Sequence, residues 1–282
     1  MKVKTFFDIY YRHRVVKAKF FLKLYLYLII PFRYLLNIPY LPSKINLDKY
    51  INKDLSLLKR DLDYLFEYFN SDKGDYYIDQ YMQPIKGKKI RIEAHGYSSI
   101  YQEYFSKIKN KDLQILELGS FYGNAAASFY CYFKNAKIYS GDIFPDLFRY
   151  KSSRMENFYI NTSDEDSIRK VILEKSLNYD LIMEDASHSL KDQIISLFML
   201  FKKISPGGLF ICEELDFPDT RLDMNLKNEY PTLKQILLAI KNNKDFKSKY
   251  INDEDKQYFL NNYSNIEIFK GKQNQVAIIK KK

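Results

Sequence analysis

Tryptophan is absent from this 282-residue sequence, and cysteine and histidine are scarce, at two and three residues. Cys131 and Cys212 are too few for a disulfide framework or a thiolate metal site, which fits a reducing, cytoplasmic compartment. Only nine of the 45 basic residues are arginine. That weighs against a nucleic-acid partner, because arginine is the residue favoured for base and phosphate readout. There is no internal repeat and no low-complexity tract. A dinucleotide fingerprint G-x-G-x-x-G fails, since Phe121 stands where its second glycine would be. The stretch Phe20-Phe-Leu-Lys-Leu-Tyr-Leu-Tyr-Leu-Ile-Ile30 is apolar, but it carries Lys23 and is closed by Pro31, short of the roughly 20 residues a membrane span needs. No small-residue cleavage site follows it, so it does not read as a signal peptide.

What the sequence does have is apolar and aromatic material. Hydrophobic residues make up 46% and aromatics 17%, enough for a buried core and too much for a disordered or fibrous chain. The length allows one or two units. The net charge of +10 is uneven. Residues 1–42 carry eight basic side chains and one acid, Asp8, for +7, and the remainder of the chain is near neutral. Basic residues around Phe, Tyr and Leu suit a helix lying on an anionic membrane surface, peripheral at the inner face. Docking of the same helix on its own domain or on a second subunit, as in a homo-oligomer, is the alternative.

Residues 46–70 place Leu55, Leu58, Leu62, Leu65, Phe66 and Phe69 at helical spacing, ended by Asn70-Ser-Asp-Lys-Gly74. A second helix is expected from Ser98 to Ile108. From Leu113 the pattern alternates. Strands are expected at 113–118, 136–140, 157–160, 179–183 and 209–212. The helices between them run from Asn124 to Phe133, from Asp164 to Ser176 with Ser163 or Asp164 as cap, and from Leu190 to Ile204. Pro206-Gly-Gly208 reads as the turn into the fifth strand. Residues 265–269 and 276–279 form a closing antiparallel pair. Strands alternating with helices mean a parallel, doubly wound α/β sheet. Three segments follow: an arm at 1–45, a helical cap at 46–110 and an α/β domain at 111–282.

The first strand ends in Glu117-Leu-Gly119-Ser-Phe-Tyr-Gly123. This E-x-G-x-x-x-G form resembles motif I of the class I S-adenosylmethionine-dependent methyltransferases. The resemblance implies a Rossmann-like fold with a mostly parallel seven-stranded sheet and a terminal antiparallel strand. In such a site glycines let the backbone approach the ligand, and Glu117 offers a carboxylate toward a cationic centre. Asp142, just past the second strand, can accept hydrogen bonds from ribose hydroxyls, or it can cap a turn. Thr162 and Ser163 close the third strand, where that family reads adenine, and simple capping explains them equally well.

Two acidic strand ends complete the pattern. The fourth strand ends in Glu184-Asp-Ala-Ser-His188 and the fifth in Glu213-Glu-Leu-Asp216. Both tips fall at the carboxyl edge of the sheet, where ligands bind in open α/β folds. Carboxylates gathered at one point repel unless a cation lies between them, and oxygen ligands suit Mg²⁺ rather than zinc. A histidine beside them can accept a proton.

These residues, with Asp192-Gln193 and the later Pro-Gly-Gly…Glu-Glu-Leu, resemble the D-G-S-H…P-G-G…E-D-L signature of metal-dependent sugar O-methyltransferases of the mycinamicin and tylosin type. Upstream, Ser71-Asp-Lys-Gly74 and His95-Gly-Tyr-Ser-Ser-Ile-Tyr101 resemble that family's cofactor-closing segments, so the likeness covers residues 70–216. It implies S-adenosylmethionine as methyl donor, Mg²⁺ on Asp185, Glu213 and Glu214, His188 as base with Asp185, and a cofactor site of Glu117, Gly119, Gly123, Asp142, Ser163 and Tyr97. Three positions depart from the signature: Ala186 replaces Gly, Glu184 replaces Asp, and the longer Glu214 replaces Asp. For His95 and Tyr97 aromatic packing is the alternative. A sugar hydroxyl in surface-polysaccharide assembly, on a nucleotide-sugar or lipid-linked acceptor, is the expected target. A small non-sugar or phosphorylated metabolite, or a non-catalytic scaffold in glycan assembly, are the alternatives.

Overall fold

A computed structural model describes residues 1–78 and 91–282, apart from the side chains of residues 13, 16 and 17. Residues 79–90, part of the expected helical cap, lie outside the described residues. Seven strands form one sheet: β1 (Gln114–Leu118), β2 (Lys137–Asp142), β3 (Met155–Tyr159), β4 (Tyr179–Glu184), β5 (Ile204–Cys212), β6 (Tyr263–Lys270) and β7 (Gln275–Lys281). Their spatial order is β6-β7-β5-β4-β1-β2-β3, and β7 runs opposite to the other six. The expected mostly parallel sheet with a reversed strand near its end is therefore present.

Alternation along the strands divides the core. Ile115, Leu181, Met183 and Ile211 face one layer, while Leu116, Ile182, Phe210 and Ala277 face the other. The first layer contains α4 (Leu62–Phe69), α5 (Ser98–Phe105) and α6 (Asn124–Tyr132). The second contains α7 (Leu190–Leu200), α8 (Leu233–Lys241) and α9 (Asp253–Asn262). Preceding both is an arm of α1 (Val3–Tyr10), α2 (Arg12–Lys17) and α3 (Phe20–Leu35).

Four local expectations change. Residues 46–70 are not one helix but three short pieces, because Asn46, Asp54 and Asp61 each accept a backbone N–H and start a new turn (from Lys49, Ser56 and Tyr64 at 2.9, 3.1 and 2.8 Å). Pro31 does not close the arm helix. It stands on the exposed side of α3, and the helix continues to Leu35 beyond the one hydrogen bond that proline forfeits. Pro206-Gly-Gly208 lies inside β5 as a bulge, with Gly207 at φ +75°, so that Ile204 and Leu209 pair with Tyr179 and Leu181. After Asp164, a single α-turn at Glu165–Ile168 is followed by a π-turn over Arg169–Leu173.

The arm docks through one strip. Phe6, Tyr10, Tyr11, Val15, Leu26 and Ile30 bury together with Tyr122 and Leu147 of the α/β domain. The Tyr11 hydroxyl donates to the Ile38 carbonyl at 2.6 Å, and the Arg14 guanidinium lies 3.5 Å from the Tyr40 ring centre. Among the described residues no helix is long and apolar enough to cross a membrane.

The layer that carries α4–α6 is held by aromatic contacts centred on Phe129, fully buried against Phe66, Phe105 and Phe133 at ring separations of 5.6, 6.1 and 6.2 Å. Phe129→Ala is expected to cost about 3–5 kcal/mol in urea unfolding. A loss below about 1 kcal/mol would mean this layer does not depend on that ring.

Candidate active site

The site grows out of the tips of β1, β2, β4 and β5. At Gly119, φ is +87°, and a Cβ there would be driven into the Asp185 carbonyl, so glycine is required for the β1 and β4 tips to approach. The same closeness zips the tips together: Gly119 N–H donates to Gly141 O at 2.8 Å, Asp185 N–H to Leu118 O at 3.0 Å, and Glu213 N–H to Glu184 O at 3.0 Å. A cavity of about 380 Å³ opens beside them, lined by Asn70, Lys73, Glu117, Gly119, Asp142 and His188 among others. A smaller one of about 150 Å³ shares Gly119 and Asp142 and adds Thr162 and Ser163. The larger is within the range of small-ligand sites.

Asp142 caps a turn and also borders both cavities. Its two carboxylate oxygens accept the N–H groups of Phe121 and Phe144 at 2.7 Å each. Ser163 lines the smaller cavity and donates from Oγ to Asp192 at 2.5 Å. Two expected cofactor residues are placed elsewhere. Gly123 lines neither cavity; its φ of +78° starts α6, and the Phe148 ring fills the space a side chain would need. Tyr97 is fully buried under His95, stacked at 5.5 Å, with its hydroxyl 3.4 Å from the Gln275 carbonyl, which is the packing alternative.

At the β4 and β5 tips, Asp185, His188 and Glu214 bring one ligand atom each within 4.8 Å of one another. Asp185 Oδ1 is 3.7 Å from His188 Nε2, and Glu214 Oε2 is 3.6 Å from His188 Nδ1. His188 and Glu214 both adopt left-handed backbone, at φ +56° and +45°. Non-glycine residues held there store strain of about 1–3 kcal/mol each, a feature that clusters at functional sites. Gln193 on α7 secures the β5 tip by donating to the carbonyls of Glu213 and Glu214 at 3.3 and 3.1 Å.

Glu213, expected beside them as a ligand, shares Lys73 with Asp185. Its Oε1 accepts from the Tyr101 hydroxyl at 2.6 Å and its Oε2 from Lys73 Nζ at 2.8 Å. Lys73 also donates to Asp185 and stands 3.9 Å from Glu117. The reason is electrostatic: a buried ammonium is tolerated only among carboxylates, and a buried carboxylate only beside a cation. Lys73, Tyr101 and His95 were the residues least legible in sequence. A single lysine in a turn and a tyrosine at helical spacing carry no periodic signal, and only the likeness of their segments to cofactor-closing segments marked that region.

The environment sets the proton affinities apart. Burial alone would lower Lys73, but Asp185, Glu213 and Glu117 hold it well above the ordinary lysine value. Burial pushes Glu117 up to about 7, against the pull of Lys73. Glu213 and Glu214 are also raised, first by burial and then by neighbouring carboxylates. Burial lowers His188, although Asp185 acts in the opposite sense, so its imidazole is neutral near pH 7. His95 goes the other way. Burial opposes its charge, but Asp72 and the nearby carboxylates raise it, and its Nε2 lies 3.1 Å from Glu214 Oε1. Asn274 holds the other ring nitrogen at 2.8 Å.

These residues fit a divalent cation. Among the described residues, Lys73 is the lysine that meets Glu117, Asp185 and Glu213, and the buried Glu214 Oε2, Glu117 Oε2 and His188 Nδ1 have no hydrogen-bond partner. Asp185 and Glu214, with His188 adjacent, form the oxygen-rich set that hard cations take.

No protein-family model matches the chain. It is 26% identical over 128 residues to the 8-demethyl-8-alpha-L-rhamnosyl tetracenomycin-C 2'-O-methyltransferase of Streptomyces olivaceus, over 43% of this chain and 33% of that protein. It is 23% identical, again over 128 residues, to the 8-demethyl-8-(2-methoxy-alpha-L-rhamnosyl)-tetracenomycin-C 3'-O-methyltransferase of the same organism, over 43% of this chain and 32% of that one. Among solved structures it resembles the MycE methyltransferase from the mycinamycin biosynthetic pathway in complex with Mg and SAH. The TM-score is 0.57 at 19% identity, covering 79% of this chain and 55% of that one. A complex of MycE with Mg, SAH and mycinamycin VI gives 0.55 at 17% identity, covering 79% and 54%. The chain thus matches about a third of the length of these curated relatives and just over half that of the solved neighbours. The likeness establishes the class I methyltransferase fold.

Glu184, at the end of β4, gives the site's pH response a clean reporter. It is fully buried, accepts from Cys212 Sγ at 3.4 Å, and burial lifts it from 4.5 to about 7. The folded chain therefore keeps a proton that the unfolded chain releases. Its contribution, on the order of 3 kcal/mol, is full below pH 4.5 and lost as pH rises through 7. The melting temperature of Glu184→Gln is expected to fall less steeply between about pH 5 and pH 7 than that of the parent protein. Parallel curves would remove Glu184 as a source of the slope.

Proposed function

We propose that this chain transfers a methyl group from S-adenosylmethionine to a sugar hydroxyl. The observation that carries the reading is the meeting of Asp185, His188 and Glu214 at the edge of the cavity that Glu117 and Asp142 line. The relatives named above are sugar O-methyltransferases, and the two neighbouring MycE structures hold SAH and Mg. On this reading Glu117 and Asp142 hold the donor's charged and ribose ends, and Thr162 and Ser163 border its base.

Asp185 and Glu214 would hold Mg²⁺. When bound, such an ion polarises the acceptor oxygens and eases loss of the hydroxyl proton. Lys73 holds Glu213 and Asp185 in place, and His95 lies against Glu214. His188, neutral by burial, takes the hydroxyl proton as the O–CH₃ bond forms and the S–CH₃ bond breaks, leaving a methyl ether, S-adenosylhomocysteine and an imidazolium. The acceptor class we favour is a nucleotide-sugar or lipid-linked saccharide in surface-polysaccharide assembly, such as capsule or lipopolysaccharide. Support for that comes from the basic arm beside the cavity.

His188→Ala is expected to bind S-adenosylhomocysteine as the parent does, by calorimetry, and to lose about 10²–10⁴-fold in turnover. Unchanged turnover would remove the base assignment, and no binding in the parent protein would favour a non-catalytic scaffold. Turnover, read by mass spectrometry over a panel of nucleotide sugars, is also expected to fall in EDTA and return with Mg²⁺. Full activity in EDTA would remove the ion.

A further inference from the structure

Helix α3 docks on the protein through one face, with Ile29 and Tyr34 half-buried beside it. Leu26 and Ile30 are buried. At about 100° per residue, the opposite arc of roughly 140° runs from Phe20 through Leu24, Leu28, Phe21 and Phe32 to Tyr25, and no charged residue falls within it. Phe20, Phe21, Leu28 and Phe32 are 73%, 83%, 62% and 68% exposed. Soluble monomers rarely leave so continuous an apolar face uncovered, and such a face marks a macromolecular or membrane contact. Lys23 and Arg33 fall outside the arc, flanking the docked strip, and Lys19 precedes the helix.

Charge decides between the two occupants. Self-association about a two-fold axis brings identical patches together, and here that sets one +7 arm against another, with Asp8 the only acid in residues 1–42. An anionic bilayer offers hydrocarbon to the arc and negative charge to the flanking lysines and arginines at once. We propose that α3 lies in the surface of an anionic membrane, its apolar arc among the acyl chains and the arm's basic residues at headgroup level. The arm also walls the site. Ile9 of α1 lines the larger cavity, and the Tyr10 ring packs edge-on to Phe144 at 6.2 Å. Membrane seating therefore holds that cavity wall at the bilayer, within reach of a saccharide carried on lipid. The proposal does not depend on the methyl-transfer reading, because seating is measured without turnover.

The experiment is flotation of the full chain with vesicles of phosphatidylcholine alone or with added phosphatidylglycerol, at low and high salt. The parent protein is expected to float with the anionic vesicles, less at high salt and little with phosphatidylcholine alone. Leu24→Asp/Leu28→Asp replaces two exposed side chains, and circular dichroism checks its fold. It is expected to reduce the floated fraction by about tenfold or more. Lys19→Glu/Lys23→Glu is expected to weaken flotation and to remove its salt dependence. Failure of the parent to float, or equal flotation of the Leu24/Leu28 variant, overturns the proposal. So does a stable dimer in light scattering that the same variant dissolves, since the face would then join two copies of this chain.

Discussion

Among the described residues, four carboxylates crowd the carboxyl edge of the sheet around one buried lysine, and that imbalance governs the site. Glu117, Glu213 and Glu214 are buried, Asp185 is close to them, and one buried ammonium, that of Lys73, contacts three of the four. Removing either partner of such a buried pair leaves an uncompensated charge, at a cost of about 3–5 kcal/mol. The arrangement therefore persists only because chain segments far apart in sequence are locked around it. The tip of β1 touches that of β4 through Gly119, and Gln193 pins the tip of β5. The turn after α4 supplies Lys73.

The same imbalance separates two histidines that a sequence cannot distinguish. Burial keeps His188 neutral, whereas His95, held between Asn274 and Glu214 and near Asp72, favours its charged form. Environment thus pushes the proton affinities of two identical side chains in opposite directions. Strain accompanies this division, since His188 and Glu214 both sit in left-handed backbone at the strand tips. Lys73 also links the two halves of the site, standing between Glu117 on the cavity side and Asp185 and Glu213 on the acidic side.

Much of this was legible in the chain. Alternating apolar strands and amphipathic helices from Leu113 onward imposed the α/β sheet, because a buried strand and a core-facing helix each have their own period. Glu117-x-Gly119, Asp142 and Asp185-x-x-His188 could be read as site residues because each stands at a strand end, and strand ends share one edge of a parallel sheet. Which side chains meet there could not be read. Glu213 and Glu214 are neighbours in sequence, yet one turns to Lys73 and Tyr101 and the other to His95 and His188. Gly123 and Tyr97 looked like ligand contacts and are packing residues, pressed against Phe148 and His95. Local pattern specifies elements and their order because it follows backbone geometry. Charge pairing inside a low-dielectric site depends on close approach between residues more than a hundred positions apart, such as Lys73 and Glu213 at 2.8 Å, and only the packed chain sets those distances.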